Sequence, residues 1–303
     1  MTERRCDEVD YIQFLIAAPR VFTCTEAARC QPDEPEAPAH DAFTRLLQRQ
    51  PPDTAALWQE VERLVQRDAG ILVFDDTTLD KFYARKIALV TRHWSGKHRR
   101  VVLGINLITL LWTDGQTRLP IDFRVYDKPF GGKTKNEHVQ AMLTQAKQRS
   151  FAPRCVLCDS WYSGLENLKT IRGCGWPWLV RFKANRYVNP DRTGNVPIER
   201  VVIPPEGRVV HLKGYGMIKV FRTVAKDGDV EYWGTSELGM DEEGRKAFAK
   251  QAWGIEQYHR GLKQCCGVEK AQVRLGTAQR GHLQLAIRAF VRLEAYRLKT
   301  GVS

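Results

Sequence analysis

The pattern of apolar and polar positions changes near residue 70. Upstream, apolar residues recur at the spacing of a helix, as at Leu57, Val61 and Leu64. Downstream, short apolar runs are separated by turn residues, which is typical of strands. We therefore predict a small helical N-terminal region over residues 1–69 and a sheet-containing domain after it.

Three strands are predicted at the start of this second part. Ile71–Phe74 is the first, and the other two, Val101–Trp112 and Leu119–Tyr126, flank Asp114-Gly115, a dipeptide that favours a hairpin. Helices and strands then alternate: Lys135–Arg149, Cys155–Cys158, Ser163–Arg172 and Trp178–Phe182. This order indicates an α/β (α+β) fold in which a mixed sheet is flanked by helices.

A segment with several prolines separates these elements from a helical C-terminus. Residues 187–240 contain four prolines and three runs typical of strands. A helix is predicted to begin near Asp241, and basic helical sequence continues to Lys299. We interpret residues 70–186 and 241–303 as one sheet-containing domain, and residues 187–240 as a β-rich insertion into it.

The net charge of +12 favours a polyanionic partner, because Lys and Arg side chains that neutralise phosphates release condensed counterions. The charge is unevenly distributed. Residues 1–70 have eight Lys and Arg against thirteen Asp and Glu, whereas residues 250–303 have ten against three. We expect nucleic acid to contact the basic body, and we interpret the acidic N-terminal helices either as a DNA-gripping unit or as a packing or dimerisation module.

A membrane location is not expected, since no apolar run approaches the ~18–20 residues that a spanning helix needs. The N-terminus is too acidic for a signal peptide, so we expect a cytosolic protein with reduced cysteines. Cys155 and Cys158 have the spacing of half a zinc knuckle, and Cys265–Cys266 would have to supply the other half. Because Cys155 and Cys158 lie in an apolar strand, core packing is the preferred interpretation.

Two acids stand directly after apolar strands. Asp75 follows Ile71–Phe74, and Asp159 follows Cys155–Cys158. A sheet holds a carboxylate at a strand end rigidly while its oxygens face a cleft, which is what a metal site requires. For either residue alone, the alternative is an ordinary turn or cap role.

A third acid belongs to a polar helical stripe. Trp253, Glu256, Arg260 and Lys263 are separated by three, four and three residues, so they share one helix face. A glutamate with basic residues one and two turns later is often only a solvated ion-pair ladder. The combination with two strand-end aspartates and a basic body favours a catalytic set of three acids.

These residues resemble bacterial insertion-sequence transposases of the DDE type, in the group whose third acid lies in a Tyr-x2-Arg-x3-Glu-x6-Lys signature. The matching segments are Asp75-Asp76-Thr77-Thr78, Asp159-Ser160-Trp161-Tyr162-Ser163-Gly164, and Trp253-Gly254-Ile255-Glu256 with Lys263. The resemblance covers about residues 70–290. It departs at Ala249 and Ala252, where the signature has Tyr and Arg, so the roles of those side chains are absent here or are supplied by Arg260. It also departs in the short acidic N-terminal region, where relatives commonly carry a DNA-binding domain.

The resemblance implies a ribonuclease-H-like fold and a phosphoryl-transfer enzyme. Asp75, Asp159 and Glu256 would hold two Mg²⁺ ions, with Mn²⁺ as the alternative, about 3.5–4 Å apart for in-line displacement at phosphorus. Water would first free a 3′-hydroxyl at the element end, and that hydroxyl would then attack target DNA. Arg260 and Lys263 would hold phosphates near the metals.

The resemblance also implies partners and a location. Double-stranded DNA, as element ends and as target, is the expected partner, and Trp253 on the same helix face is expected to contact it. Joining two ends calls for two active sites, so a homodimer on DNA is expected. A bacterial cytoplasmic protein that associates with the nucleoid when bound is the corresponding location.

The first acid has two candidates, because Asp75 and Asp76 are adjacent and in an extended chain point to opposite sides. We favour Asp75. It matches Asp159 as the first acid after four apolar residues, and with Thr77 it forms the Asp-x-Thr pattern that the family often shows. Asp76 remains the alternative ligand.

The segment Gly131-Gly132-Lys133-Thr134 is similar to a nucleotide-binding P-loop, but that motif needs glycine where Asp127 stands. We interpret the segment as a glycine turn, and we predict that Lys133 and Lys135 contact the DNA backbone. Two other functions remain open: a non-catalytic DNA-binding protein derived from a transposase, and a stand-alone nuclease of the same fold, which would cut without joining.

Overall fold

The computed structural model describes residues 6–32, 34–49, 54–96, 98–127, 131–225 and 228–302. Its strands, in chain order, are β1 (Ile71–Asp80), β2 (Thr91–Ser95), β3 (Arg100–Thr113), β4 (Arg118–Tyr126), β5 (Val156–Cys158), β6 (Trp178–Phe182), β7 (Tyr187–Val188), β8 (Val196–Pro197), β9 (Arg208–Leu212), β10 (Gly216–Val224) and β11 (Val230–Thr235). Its helices are α1 (Glu8–Ala17), α2 (Cys24–Arg29), α3 (His40–Arg49), α4 (Thr54–Val61), α5 (Lys135–Gln148), α6 (Leu165–Gly173), α7 (Glu242–Ala252), α8 (Gly254–Cys265) and α9 (Gly276–Thr300).

One mixed sheet forms the centre of the molecule. Its spatial order is β2-β3-β1-β5-β6-β11-β10-β9, and β4 also pairs with β3. β1, β5 and β6 are parallel to one another, and the other pairs are antiparallel. Helices flank this sheet, so the predicted α/β class is confirmed.

The predicted β3–β4 hairpin is present. The Asp114 carboxylate accepts hydrogen bonds from the backbone N–H groups of Gln116 and Thr117 at 2.9 and 2.7 Å. Gly115 has a φ of +100°, which glycine adopts without the steric cost that a side chain would add. The turn residues thus bring the two long apolar strands together.

Three features differ from the sequence-based prediction. β1 continues beyond Phe74 to Asp80, because its polar half still pairs with β3. β2 was not predicted at all. The single helical stretch expected from Asp241 onwards is divided into α7, α8 and α9, with the first break at Trp253.

The β-rich segment is continuous with the central sheet. β11 pairs with β6 and thereby extends the sheet through β10 and β9, whereas β7 and β8 form a separate two-stranded ribbon. The proposed division into residues 1–69, 70–186 with 241–303, and 187–240 stays a prediction.

The N-terminal helices α1, α3 and α4 pack against α9. Their apolar sides are buried in the same core as the sheet, with Tyr11, Leu15, Phe43 and Leu57 among the buried residues. Arg288 of α9 is buried and pairs with Glu8 and Glu60, so part of the acidity of this region serves internal ion pairs. These contacts support the packing interpretation of the region.

Cys155 and Cys158 are buried free thiols of the β5 segment, where they pack as small apolar residues. Among the helices of the described ranges, none is both long and apolar enough to cross a membrane.

Candidate active site

Asp75 and Asp159 are brought together by the register of two parallel strands. Phe74 of β1 is aligned with Cys158 of β5, so the two aspartates follow directly at neighbouring positions. Adjacent strands lie about 4.8 Å apart. β5 ends at Cys158, whereas β1 continues, and the shorter strand leaves a cleft at this edge.

Glu256 approaches the same edge from a helix. It lies in the first turn of α8, which begins at the break beside Trp253 and contacts β1. Asp75, Asp159 and Glu256 line one cavity of about 150 Å³. Within the described residues, however, no three His, Cys, Asp or Glu side chains are close enough to hold a metal ion as they stand. The three carboxylates thus share a cavity but stand too far apart to form a metal site without moving.

Carboxyl groups are crowded in this cavity. Burial raises the pKa of Asp75 well above its usual range, and the charges of Asp159, Asp76 and Glu256 raise it further. Burial also raises the pKa of Asp159, against the effect of the Tyr162 and Trp161 backbone N–H groups that donate to its Oδ1. Crowded carboxylates of this kind are stabilised by a bound cation.

The donor chemistry suits a hard divalent cation, since Mg²⁺ prefers carboxylate oxygens. Asp75, Asp159 and Glu256 offer only such oxygens at the cavity they line. The residues present therefore fit a metal of this class, provided that the side chains move closer together on binding.

Asp76 has a different environment from its neighbour. Its Oδ2 accepts hydrogen bonds from Asn106 Nδ2 at 2.5 Å and Lys135 Nζ at 2.8 Å, and its Oδ1 accepts one from the Tyr162 hydroxyl at 2.5 Å. Burial alone would raise the pKa of Asp76, but the Lys135 charge and these hydrogen bonds outweigh it and lower the pKa. The Asp76 carboxylate is thus already satisfied by protein groups.

Lys135, predicted to contact DNA, is part of this internal network. Its Nζ pairs with Asp76 and lies 5.2 Å from the centre of the Trp161 ring. Lys133 is exposed in the turn before α5. Thr134 caps α5 and exchanges hydrogen bonds with Glu137 in a capping box, as expected for a helix start after a turn.

A larger cavity of about 820 Å³ adjoins the acids and is lined by Asp75, Glu256, Arg260 and Lys263. Arg260 is exposed there. Lys263 Nζ is anchored, because it donates to the carbonyl oxygen of Thr78 at 2.9 Å and pairs with Glu269 at 3.1 Å. Trp253 is 56% exposed at the rim of the smaller cavity.

Sequence reasoning missed two residues at these cavities. His259 is buried beside Glu256, its Nε2 lacks a hydrogen-bond partner among the described groups, and burial lowers its pKa to about 3. Arg181 of β6 lines the small cavity together with Ala249 and Ala252, and its charge partly opposes the burial that raises the pKa of Asp159. No sequence pattern pointed to either residue, because His259 follows no metal-ligand spacing and Arg181 lies in a strand far along the chain.

Comparison with solved structures concerns the fold. A piggyBac transposase in a synaptic complex with hairpin DNA is similar over 100% of this chain and 70% of its own, at 11% identity and a TM-score of 0.55. A Drosophila P element transposase in a strand transfer complex is matched over 99% of this chain and 82% of its own, at 9% identity and a TM-score of 0.34.

Comparison of sequences identifies the family. No curated protein matches the chain significantly, but residues 1–215 match the model of the DDE superfamily endonucleases. The matched range includes the N-terminal helices, Asp75 and Asp159, and it ends before Glu256. This match extends over more than half of the chain, and the chain therefore belongs to the DDE superfamily endonucleases.

Proposed function

We propose that the protein is a DNA transposase, which cleaves DNA strands at the ends of an insertion-sequence element and joins them to a target. The observation that carries the proposal is the convergence of Asp75, Asp159 and Glu256 on one cavity, where burial, and then the charges of neighbouring carboxylates, raise the pKa of Asp75. In a DDE superfamily endonuclease, three such acids are the expected metal ligands.

Asp75, Asp159 and Glu256 would hold Mg²⁺, or Mn²⁺ as the alternative. Two such ions activate an attacking oxygen and stabilise a leaving oxygen at phosphorus. Arg260 lines the larger cavity, where its guanidinium suits bidentate binding of a DNA phosphate. Lys263, already anchored to Glu269, contributes positive charge to the same wall.

Asp76 is proposed as a positioning residue instead of a ligand. Its carboxylate is held by Asn106, Lys135 and Tyr162, and it fixes the strand that presents Asp75. Arg181 is proposed to supply near Asp159 the guanidinium that the family signature would place at Ala252, since both residues line the same cavity.

Double-stranded DNA, as element ends and as target, is the proposed substrate, and a homodimer on DNA is the proposed assembly. The net charge of +12 supports a polyanionic partner. Exposed Lys133 and Trp253 remain proposed DNA contacts. A bacterial cytoplasm is the proposed setting.

The test is cleavage of DNA that contains the inverted repeats flanking the gene. Glu256→Gln and Asp159→Ala are expected to abolish Mg²⁺-dependent nicking while DNA binding survives, because phosphate contacts do not need the ligands. Glu243→Gln is the matched control, since Glu243 is an exposed glutamate in the first turn of α7 as Glu256 is in that of α8. Equal activity of the two glutamine variants would overturn the assignment.

One observation favours a second candidate, a non-catalytic DNA-binding protein. The acids are open in arrangement, and no three of the described His, Cys, Asp and Glu side chains form a metal cage. Absence of any metal-dependent nicking by the wild type would select this candidate. A strand-transfer assay separates both from a stand-alone nuclease, which would cut without joining.

A further inference from the structure

A third cavity, lined by residues that follow Asp159 in the chain, differs from the cavity that the three acids line. It has a volume of about 520 Å³ and lies between the loop after β5, the β6–β7 connection and the β9–β10 turn. We call it the basic groove and define it by Trp161, Lys183, Arg186, Tyr187 and Lys213. A cavity of this size lies in the range of ligand sites, about 300–1,000 Å³.

The charged side chains that line the basic groove are all cations. Lys183, Arg186 and Lys213 line it, and no Asp or Glu of the described residues does so. The ion pairs formed by the described residues use none of these three cations. Three cations in one concave surface that pair with no acid in the described part of the chain are complementary to successive phosphates.

Two aromatic rings in the groove face solvent. Trp161 is 50% exposed and Tyr187 is 58% exposed. Exposed rings in a basic groove stack on the faces of unpaired bases, and this stacking tolerates any sequence. A duplex keeps its base faces covered by neighbouring pairs, so the rings favour a single strand over a duplex.

The groove is continuous with the catalytic edge. Trp161 follows Asp159 by two residues, and its backbone N–H donates to Asp159 Oδ1 at 2.9 Å. Ser160 lines the groove and also lines, with Asp159, a further cavity of about 360 Å³. The loop that carries Asp159 and Trp161 therefore connects the acids to the groove.

We infer that the basic groove binds the unpaired DNA strand that continues from the cleavage site. The inference rests on the proposed function for the identity of that strand. Tyr187 stacks on a base, Lys183 and Lys213 bind the phosphates beside it, and Trp161 forms the wall nearest the acids.

The test measures binding in EDTA by fluorescence anisotropy, with a short duplex that carries a single-stranded extension and with the same duplex blunt. Tyr187→Ala is expected to weaken binding of the extended duplex about tenfold, as removal of a stacking ring does. Binding of the blunt duplex should be unchanged. Tyr187→Phe, which retains the ring, is the matched control and should bind both as the wild type does.

A second variant keeps the inference testable if Tyr187→Ala does not fold. Lys183→Ala with Lys213→Ala removes two exposed cations, and it should reduce the slope of log affinity against log salt by about 1.4 for the extended duplex. Lys299→Ala, at the exposed end of α9, is the charge control.

Unchanged binding of the extension by both variants would overturn the inference, and so would equal losses on extended and blunt duplex, which would indicate a duplex-binding surface. These outcomes are independent of cleavage. If the wild type cuts no DNA while the variants bind only the extended duplex more weakly, the proposed function fails and the inference about the basic groove is supported. If the wild type cuts and the variants bind normally, the groove alone fails.

Discussion

Asp75 and Asp76 are neighbours in one strand with opposite surroundings. Asp75 faces other carboxylates, and burial with their repulsion raises its pKa. Asp76 faces Asn106, Lys135 and Tyr162, and its pKa is lowered. The alternation of side chains along an extended strand is sufficient to create this difference. Asp75 is consequently suited to bind a cation, and Asp76 is suited to hold the backbone in place.

The sequence made Asp75 and Asp159 candidate ligands, but it gave no indication of the residues that contact Asp76. Asp75 and Asp159 were recognisable because each ends an apolar run, and local sequence contains that information. Asn106 and Tyr162 contact Asp76 from positions 30 and 86 residues away, and only the tertiary fold brings them there. The ionic role of Lys135 was unpredictable for the same reason.

Tyr162→Phe tests the positioning role of this network. The variant removes the donor to Asp76 Oδ1 and leaves a buried carboxylate oxygen without that bond, which costs about 1–3 kcal/mol. We expect this loss in the free energy of unfolding at neutral pH, measured by urea denaturation. Tyr187→Phe, which removes an exposed hydroxyl, should stay within about 0.5 kcal/mol of the wild type. Equal stability of the two variants would contradict the role assigned to Tyr162.

At the scale of elements, local periodicity predicted which segments are helices and strands but not where they pair. The polar half of β1 has no apolar alternation, yet it pairs with β3 up to Asp80. β9 to β11 were predicted as strands of an insertion, and their continuity with β6 depends on long-range pairing. The break at Trp253 was hidden because α7 and α8 have the same helical character in sequence.

Arg288 connects α1 and α4 to α9 through ion pairs. Its Nε and Nη2 donate to Glu60 Oε1 at 2.9 and 2.7 Å, and it also pairs with Glu8. Arg288→Ala should lower the free energy of unfolding by about 2 kcal/mol, less than the ~3–5 kcal/mol for breaking a fully buried pair, because Glu8 loses this cation but Glu60 keeps a contact to Arg292 at 3.5 Å. Arg45→Ala is the control, since its pair with Asp41 is mostly exposed and such pairs contribute at most about 1 kcal/mol. Urea denaturation of both variants measures the difference, and similar losses would show that Arg288 does not anchor the helices.

At the scale of the whole molecule, the N-terminal helices and the catalytic sheet share one core. Charge distribution along the sequence left open whether the acidic region binds DNA or packs. The ion pairs of Arg288 and the burial of Tyr11 support packing. The sequence shows the acidic residues but does not indicate which cation pairs with them, because Glu60 and Arg288 are more than 200 residues apart.

His282 connects this packing to pH. It is fully buried in α9, where its Nδ1 lies 2.9 Å from the Tyr11 hydroxyl and its Nε2 lies 3.2 Å from the carbonyl oxygens of Gly267 and Val268. The carbonyls require Nε2–H, so Nδ1 accepts from Tyr11 and the ring is neutral. Burial, and then the nearby charge of Lys81, lower its pKa to about 4.

A lowered histidine pKa makes stability fall as pH falls. The unfolded chain binds the proton near pH 6.5 and the native state only near pH 4, so the contribution is complete above about 6.5 and is lost towards 4. A shift of this size corresponds to about 3 kcal/mol. We expect the free energy of unfolding of His282→Asn to be lower than that of the wild type at pH 7. Between pH 7 and pH 4 it should decrease by about 3 kcal/mol less than that of the wild type does, as measured by urea denaturation across this range.

His40→Asn, at an exposed position of α3, is the matched control. Parallel pH profiles of His282→Asn and the wild type would show that this histidine does not link the helical layer to acid unfolding. Because Asp75 and Asp159, with raised pKa values, act in the opposite direction in acid, only the difference between variant and wild type isolates the effect of His282.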